Sequence, residues 1–156
     1  MSADVNYVAS RLSLRKPQRE SLEILDKVCE LLPLKKGIGK DEALALLHKH
    51  EPFKRVTDYE RDFASLCFAL ATGVGKTRLM GAFIGYLHRT HGIRHFFVLA
   101  PNLTIYDKLI KDFNAGEPKY VLQGLSEFAT TPPLIITGDN YENGQEIGRA
   151  SCRERV

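Results

Sequence analysis

Seven consecutive residues, Ala71-Thr72-Gly73-Val74-Gly75-Lys76-Thr77, have the types and spacing to hold a phosphate chain. Capturing an anion on a backbone takes several N–H groups aimed at one point and little side-chain bulk. It also takes a helix start, whose unpaired N–H groups and dipole favour negative charge. Gly73 and Gly75 supply the freedom to turn tightly. Lys76 supplies a cation for the β- and γ-phosphates, and the Thr77 hydroxyl a ligand for Mg²⁺. The predicted cradle runs from Thr72 through Gly73, Val74 and Gly75 to Lys76 and Thr77, and would hold a Mg²⁺-bound phosphate chain. Lys76 and Thr77 are its catalytic candidates. One position departs from the strict G-x-x-x-x-G-K-[ST] pattern: Leu70 stands where that pattern has its first glycine.

A cradle of this kind needs a strand leading in and a helix leading out. Phe63 to Leu70, "FASLCFAL", is nearly continuous in apolar residues, which predicts a strand buried on both faces. Thr77 to Arg89 has the helical period, with Leu79, Met80, Phe83, Ile84 and Leu87 apolar. Phe96 to Ala100, "FFVLA", predicts a second strand, and Leu103 to Phe113, "LTIYDKLIKDF", a helix. Leu134 to Thr137, "LIIT", is a third strand candidate, and Tyr120-Val121-Leu122 a weaker one. Strand and helix in alternation predict an α/β fold: a parallel sheet carrying the phosphate loop, an incomplete RecA-like domain.

An N-terminal helical segment precedes it. Leu22, Leu25, Val28, Cys29 and Leu32 follow the helical period, with Pro17 suited to the first turn and Pro33 to the stop. A Gly/Lys connection, Lys35 to Lys40, leads to a second helix, Glu42 to His50, which Asp41 could cap and Pro52 ends. The expected division is residues 1–60 helical, 61–145 phosphate-loop domain and 146–156 tail.

The A-T-G-x-G-K-T form resembles motif I of superfamily 2 helicases and translocases. Two further stretches agree. Gln18, in "RKPQRESLEIL", resembles the upstream glutamine that reads the adenine edge in such motors; an amide can donate to N7 and accept from N6–H. "FFVLAPNLTIYDKL" resembles motif Ia, whose strand end touches the nucleic-acid backbone. The resemblance makes Pro101, Asn102 and Thr104 nucleic-acid contacts, although Asn102 or Thr104 also suits a helix cap. "FALATGVGKTRLMGAFIGYLHR", "FFVLAPNLTIYDKLIKDF" and "PPLIITGDNYE" together resemble the helicase part of the restriction (R, or res) subunit of type III restriction enzymes, of the DEAD/DEAH-like family. The resemblance spans roughly Leu14 to Glu142. It implies ATP-driven translocation on double-stranded DNA, Mg²⁺, a partner modification (methyltransferase) subunit, and a nuclease domain further along. Another superfamily 2 motor, such as a type I restriction subunit or a repair helicase, remains open, as does a nucleotide-binding module without catalysis.

Phosphoryl transfer also needs a Walker B carboxylate pair for Mg²⁺ and an arginine finger. No such pair ends an apolar strand candidate here; Asp139, in "ITGDNYE", lacks the following glutamate. The expectation is a chain that binds nucleotide weakly at best and does not turn it over. The last stretch, Ile147 to Val156, "IGRASCRERV", resembles the in-frame translation of a sequencing-library adapter and is expected to be non-native. Arg149, Arg153 and Arg155 against Glu154 give it +2 of the +3 net charge, so basicity argues little for DNA.

The remaining bulk features bound the class. With 44% hydrophobic and 26% charged residues, the balance is that of a soluble globular chain. No apolar run reaches the roughly 20 residues of a membrane span, and no secretory signal is visible, so a cytoplasmic protein without membrane contact is expected. Cys29, Cys67 and Cys152 lack metal spacing; Cys29 and Cys67, among apolar residues, read as small buried hydrophobes. His48 and His50 form no metal-binding pattern and read as solvated surface.

Overall fold

The computed structural model describes residues 2–34 and 38–141, in two compact units, Met1–Phe97 and Val98–Val156. The tail Ile147–Val156 with Cys152, and Lys35 to Gly37 of the Gly/Lys connection, lie outside the described residues.

The first unit is built on three helices, α1 (Ala3–Arg11), α2 (Lys16–Leu31) and α4 (Lys76–His91), each packed on the other two. α1 is absent from the sequence reading, because nine residues with few large apolar side chains give a weak period. Ser2 nevertheless caps it, its hydroxyl accepting from the Val5 N–H at 3.2 Å, and Val5, Val8 and Ala9 are buried. α2 follows the expected stripe: Gln18, Ser21, Leu22, Leu25, Val28 and Cys29 are buried at helical spacing, and Pro17 lies in the first turn. α4 buries Leu79, Gly81, Ala82, Gly85 and Tyr86, and its small residues let the neighbouring helices approach. It extends past the predicted Arg89 to His91, where Gly92 takes the left-handed conformation (φ +65°) that ends it.

Polar ties fix the helix directions. Arg78, near the start of α4, donates to the Leu12 carbonyl at the end of α1. Arg89 and Thr90, near its end, bond Asp4 at the start of α1 at 2.8 and 3.1 Å, with the Arg89 guanidinium 4.0 Å over the Tyr7 ring. α1 and α4 are therefore antiparallel. Gln18 and Asp26 of α2 meet Gly75 and Tyr86 in the same order, so α2 and α4 run parallel.

α3 (Lys40–Leu47) packs on α2 through a core of Val28, Leu32, Ala43, Leu47 and Tyr59. Its N-cap is Gly39 rather than the expected Asp41, which falls in the first turn and faces the helix dipole favourably. It stops at Leu47, before the predicted His50, and Pro52 instead opens a short 3₁₀ turn, Glu51–Phe53.

The second unit holds α5 (Leu103–Phe113), with the predicted bounds, and the short α6 (Ser126–Thr130). Tyr120, Leu122, Leu125 and Phe128 form its buried centre, with the Tyr120 hydroxyl donating to the Phe128 carbonyl at 3.3 Å.

The predicted parallel α/β sheet is not found. Among the described residues none is in a β-strand, and the fold is helical. The runs 64–71, 93–100 and 132–137 lack regular structure, and Tyr120-Val121-Leu122 leads into a turn. A strand takes its hydrogen bonds from a neighbouring segment, and no described segment supplies them. The apolar side chains that were to be buried on both faces lie open instead: Phe63 is 65% exposed, Phe97 88% and Leu99 78%. Phe68 alone of the first run meets a helix ring, edge-on to Phe83 of α4 with centroids 4.9 Å apart. Cys67, expected buried, is exposed with this run, whereas Cys29 is buried as expected. His48 is exposed, as expected.

One buried polar cluster joins α2 to α4. The Tyr86 hydroxyl donates to Asp26 Oδ1 at 2.7 Å and lies 3.2 Å from His91 Nε2. Burial, and then the Asp26 hydrogen bond, push the Tyr86 hydroxyl well above its usual range. Burial and the nearby Asp26 carboxylate raise the Cys29 thiol to about 11.

Two outcomes follow. Tyr86→Phe deprives a buried carboxylate of its donor and lowers stability by about 2 kcal/mol in urea unfolding; an unchanged midpoint contradicts this tie. At pH 8 Cys29 is thiolate to about one part in a thousand, so mass mapping after iodoacetamide finds Cys67 modified and Cys29 intact until the chain is denatured.

Candidate functional site

The phosphate-loop residues sit where α4 begins. Gly73 and Gly75 have φ of +82° and +90°, in the left-handed region that glycine enters without strain. Gly75 is the N-cap of α4, and Lys76 its first residue. The first N–H of the helix to find an acceptor is that of Leu79, which donates to the Gly75 carbonyl at 3.1 Å. Among the described residues the N–H groups of Lys76, Thr77 and Arg78 meet no acceptor, as at a helix start. Thr72, Gly73, Gly75 and Lys76 are exposed, Val74 and Thr77 half-buried. Lys76 makes no ion pair among the described residues. Open N–H groups, an open lysine and a threonine hydroxyl one residue on are a donor set that fits a Mg²⁺-bound triphosphate.

Gln18 is brought to this loop, 57 positions away in sequence from Gly75. Its amide Nε2 donates to the carbonyls of Val74 and Gly75, both at 2.9 Å. Its Oε1 accepts from the Arg15 N–H at 2.8 Å, the glutamine half of a capping box at the start of α2. Arginine has no acceptor, so only this half forms. Gln18 is 2% exposed. The resemblance makes Gln18 a reader of adenine; its bond to the Arg15 N–H carries no sequence signal, since a capping box has Ser or Thr where this chain has Arg15.

Pro101, Asn102 and Thr104 belong to the second unit, at the start of α5. Asn102 is its N-cap, with Oδ1 accepting from the Ile105 N–H at 3.0 Å, so the capping role foreseen for it is realised. Pro101 and Thr104 are exposed. Among the described residues there is no group of three or more His, Cys, Asp or Glu arranged to hold a metal ion, and no helix is long and apolar enough to cross a membrane.

Gly75 admits no side chain. A Cβ there meets Gln18 Nε2 at 2.7 Å and adds the strain of a positive φ. Gly75→Ala is expected to lower the thermal midpoint, with a cost of about 1–3 kcal/mol, whereas Gly73→Ala, with open space at its Cβ, carries the backbone strain without the clash and costs less. Equal midpoints for the two variants contradict the close approach of Gln18.

The model of the family described as type III restriction enzyme, res subunit, matches residues 11–148. No curated protein and no solved structure matches the chain. The match covers well over half of the sequence and takes in Gln18, the glycine loop and the start of α5, and the chain belongs to the res-subunit family of type III restriction enzymes.

Proposed function

We propose that this chain is the nucleotide-binding part of an ATP-dependent DNA translocase, the motor of a type III restriction endonuclease. The observation that carries the reading is the loop itself: two glycines at positive φ, then a helix start with unpaired N–H groups and an open Lys76. Family membership supplies the helicase-like context.

In this reading the N–H groups from Gly73 to Thr77 take the phosphate oxygens and Lys76 neutralises charge on the β- and γ-phosphates. The Thr77 hydroxyl would be the protein's ligand to Mg²⁺, which when bound would offset phosphate charge. Pro101, Asn102 and Thr104 take the backbone of double-stranded DNA; the Asn102 carbonyl oxygen is spent on the cap, which leaves its NH₂ for a phosphate. Residues 1–60 act as a helical segment ahead of the phosphate-loop domain 61–145, and 146–156 are a non-native tail. A modification subunit is the partner, and the cytoplasm the site of action. Without a Walker B pair or an arginine finger, the 156-residue chain binds ATP weakly and does not hydrolyse it.

Titration of the chain with a fluorescent ATP analogue in Mg²⁺ tests this. Lys76→Ala removes a charge-assisted phosphate contact and weakens binding about tenfold or more. Chelation of Mg²⁺ weakens the original chain, and Thr77→Ala responds less to it. A res subunit carrying this sequence loses DNA-stimulated phosphate release on the Lys76→Ala change. Undiminished binding and turnover in that variant contradict the assignment.

A further inference from the structure

We propose that Gln18 is a positioning residue for the phosphate loop and is blind to the nucleotide base. The inference rests on the loop being a triphosphate site, but it gives Gln18 a different task from reading adenine.

A glutamine amide has two N–H donors and one carbonyl oxygen. Both donors of Gln18 are in use, on the carbonyls of Val74 and Gly75, and the oxygen is bonded to the Arg15 N–H. Reading adenine takes a donor for N7 and an acceptor for N6–H. Supplying the donor means releasing a loop carbonyl. The side chain is 2% exposed, and Nε2 lies against the Cα of Gly75 so closely that a Cβ there would sit 2.7 Å away. The edge of a base has no open amide to meet.

The same bonds have a consequence on the far side of the loop. The described peptides are all trans, and in a trans peptide the C=O and N–H point in opposite directions. The Val74 carbonyl shares its peptide with the Gly75 N–H, and the Gly75 carbonyl with the Lys76 N–H. Drawing both carbonyls toward α2 turns those two N–H groups away from it, as a pair. The Gly75 carbonyl also accepts from Leu79 N–H, so Gln18 and the first turn of α4 hold one oxygen together. Gln18 thus aims donors at a phosphate without touching it.

The test compares Kd values of the original chain, Gln18→Ala and Gln18→Glu for Mg²⁺-bound ATP, GTP and inorganic tripolyphosphate. Gln18→Glu keeps the acceptor for Arg15 and replaces both donors by an oxygen facing two carbonyls, so it separates the loop contact from the helix cap. Both variants are expected to weaken all three ligands by a common factor of about ten, with the ATP-to-GTP ratio unchanged and helix content by circular dichroism retained. Loss confined to ATP overturns the proposal and makes Gln18 an adenine reader. If the original chain binds none of the three, the nucleotide reading itself falls. The loop role is read separately, from the ¹³C carbonyl shifts of Val74 and Gly75 without nucleotide. They move upfield in Gln18→Glu while mid-α2 carbonyls stay; carbonyl shifts that do not move overturn the positioning role.

Discussion

A single buried amide holds the start of α4 in place. Gln18 Nε2 bonds two consecutive carbonyls of the glycine loop, and it fits only because Gly75 has no side chain and takes a φ of +90°. Buried amides are costly to leave unpaired, so a side chain that meets two carbonyls and one N–H at once is strongly specified in position. The constraint acts in both directions. Arg15 and the first turn of α2 fix the amide, and the amide fixes the loop that opens α4. The loop conformation is therefore a property of the α2–α4 pair, and the local glycine sequence only permits it.

The remaining contacts of the first unit keep that pair in register. Asp26 and Tyr86 bond about two turns further along α2 and about three along α4, between helices running the same way. Since α2 and α4 are parallel, a slip of one along the other would break the Tyr86 bond and the Gln18 bonds together. α1 adds the opposing clamp, with Arg78 at one end of α4 and Arg89 and Thr90 at the other. Surface ion pairs such as Arg89–Asp4 contribute little singly. Here the guanidinium also lies over Tyr7, and burial of Val5, Val8, Leu22, Leu79 and Ala82 beneath supplies most of the attraction.

The sequence disclosed those features whose cause is local. α5 has the bounds its apolar period predicts, and Asn102 caps it because a short polar side chain at that point can reach the third N–H. Gly73 and Gly75 take positive φ where the loop pattern needs it. The bond of Gln18 to the loop carbonyls is not legible in the sequence, where the resemblance offers only a reader of the adenine edge, because a bond across 57 positions leaves no trace in local composition. Asp26 and Tyr86 were silent for the same reason: each reads alone as an ordinary helical residue. α1 is not legible because its nine residues give a weak period, and its burial depends on α2 and α4, which pack on it.

The strands failed for a reason that separates the two kinds of secondary structure. A helix satisfies its backbone within one segment, so α2, α4 and α5 could be read from period and caps and found in place. A strand makes its ladder bonds only with what lies beside it, about half of its backbone groups to each neighbour. "FASLCFAL" and "FFVLA" carry the composition of buried strands, yet composition states only what a segment would do beside a partner. With no ladder partner among the described residues, Phe63, Phe97 and Leu99 stay in solvent. The glycine loop escapes that dependence. Its shape is held from the helical side, by Gln18 and the first turn of α4, so it forms although the run that precedes it joins no sheet.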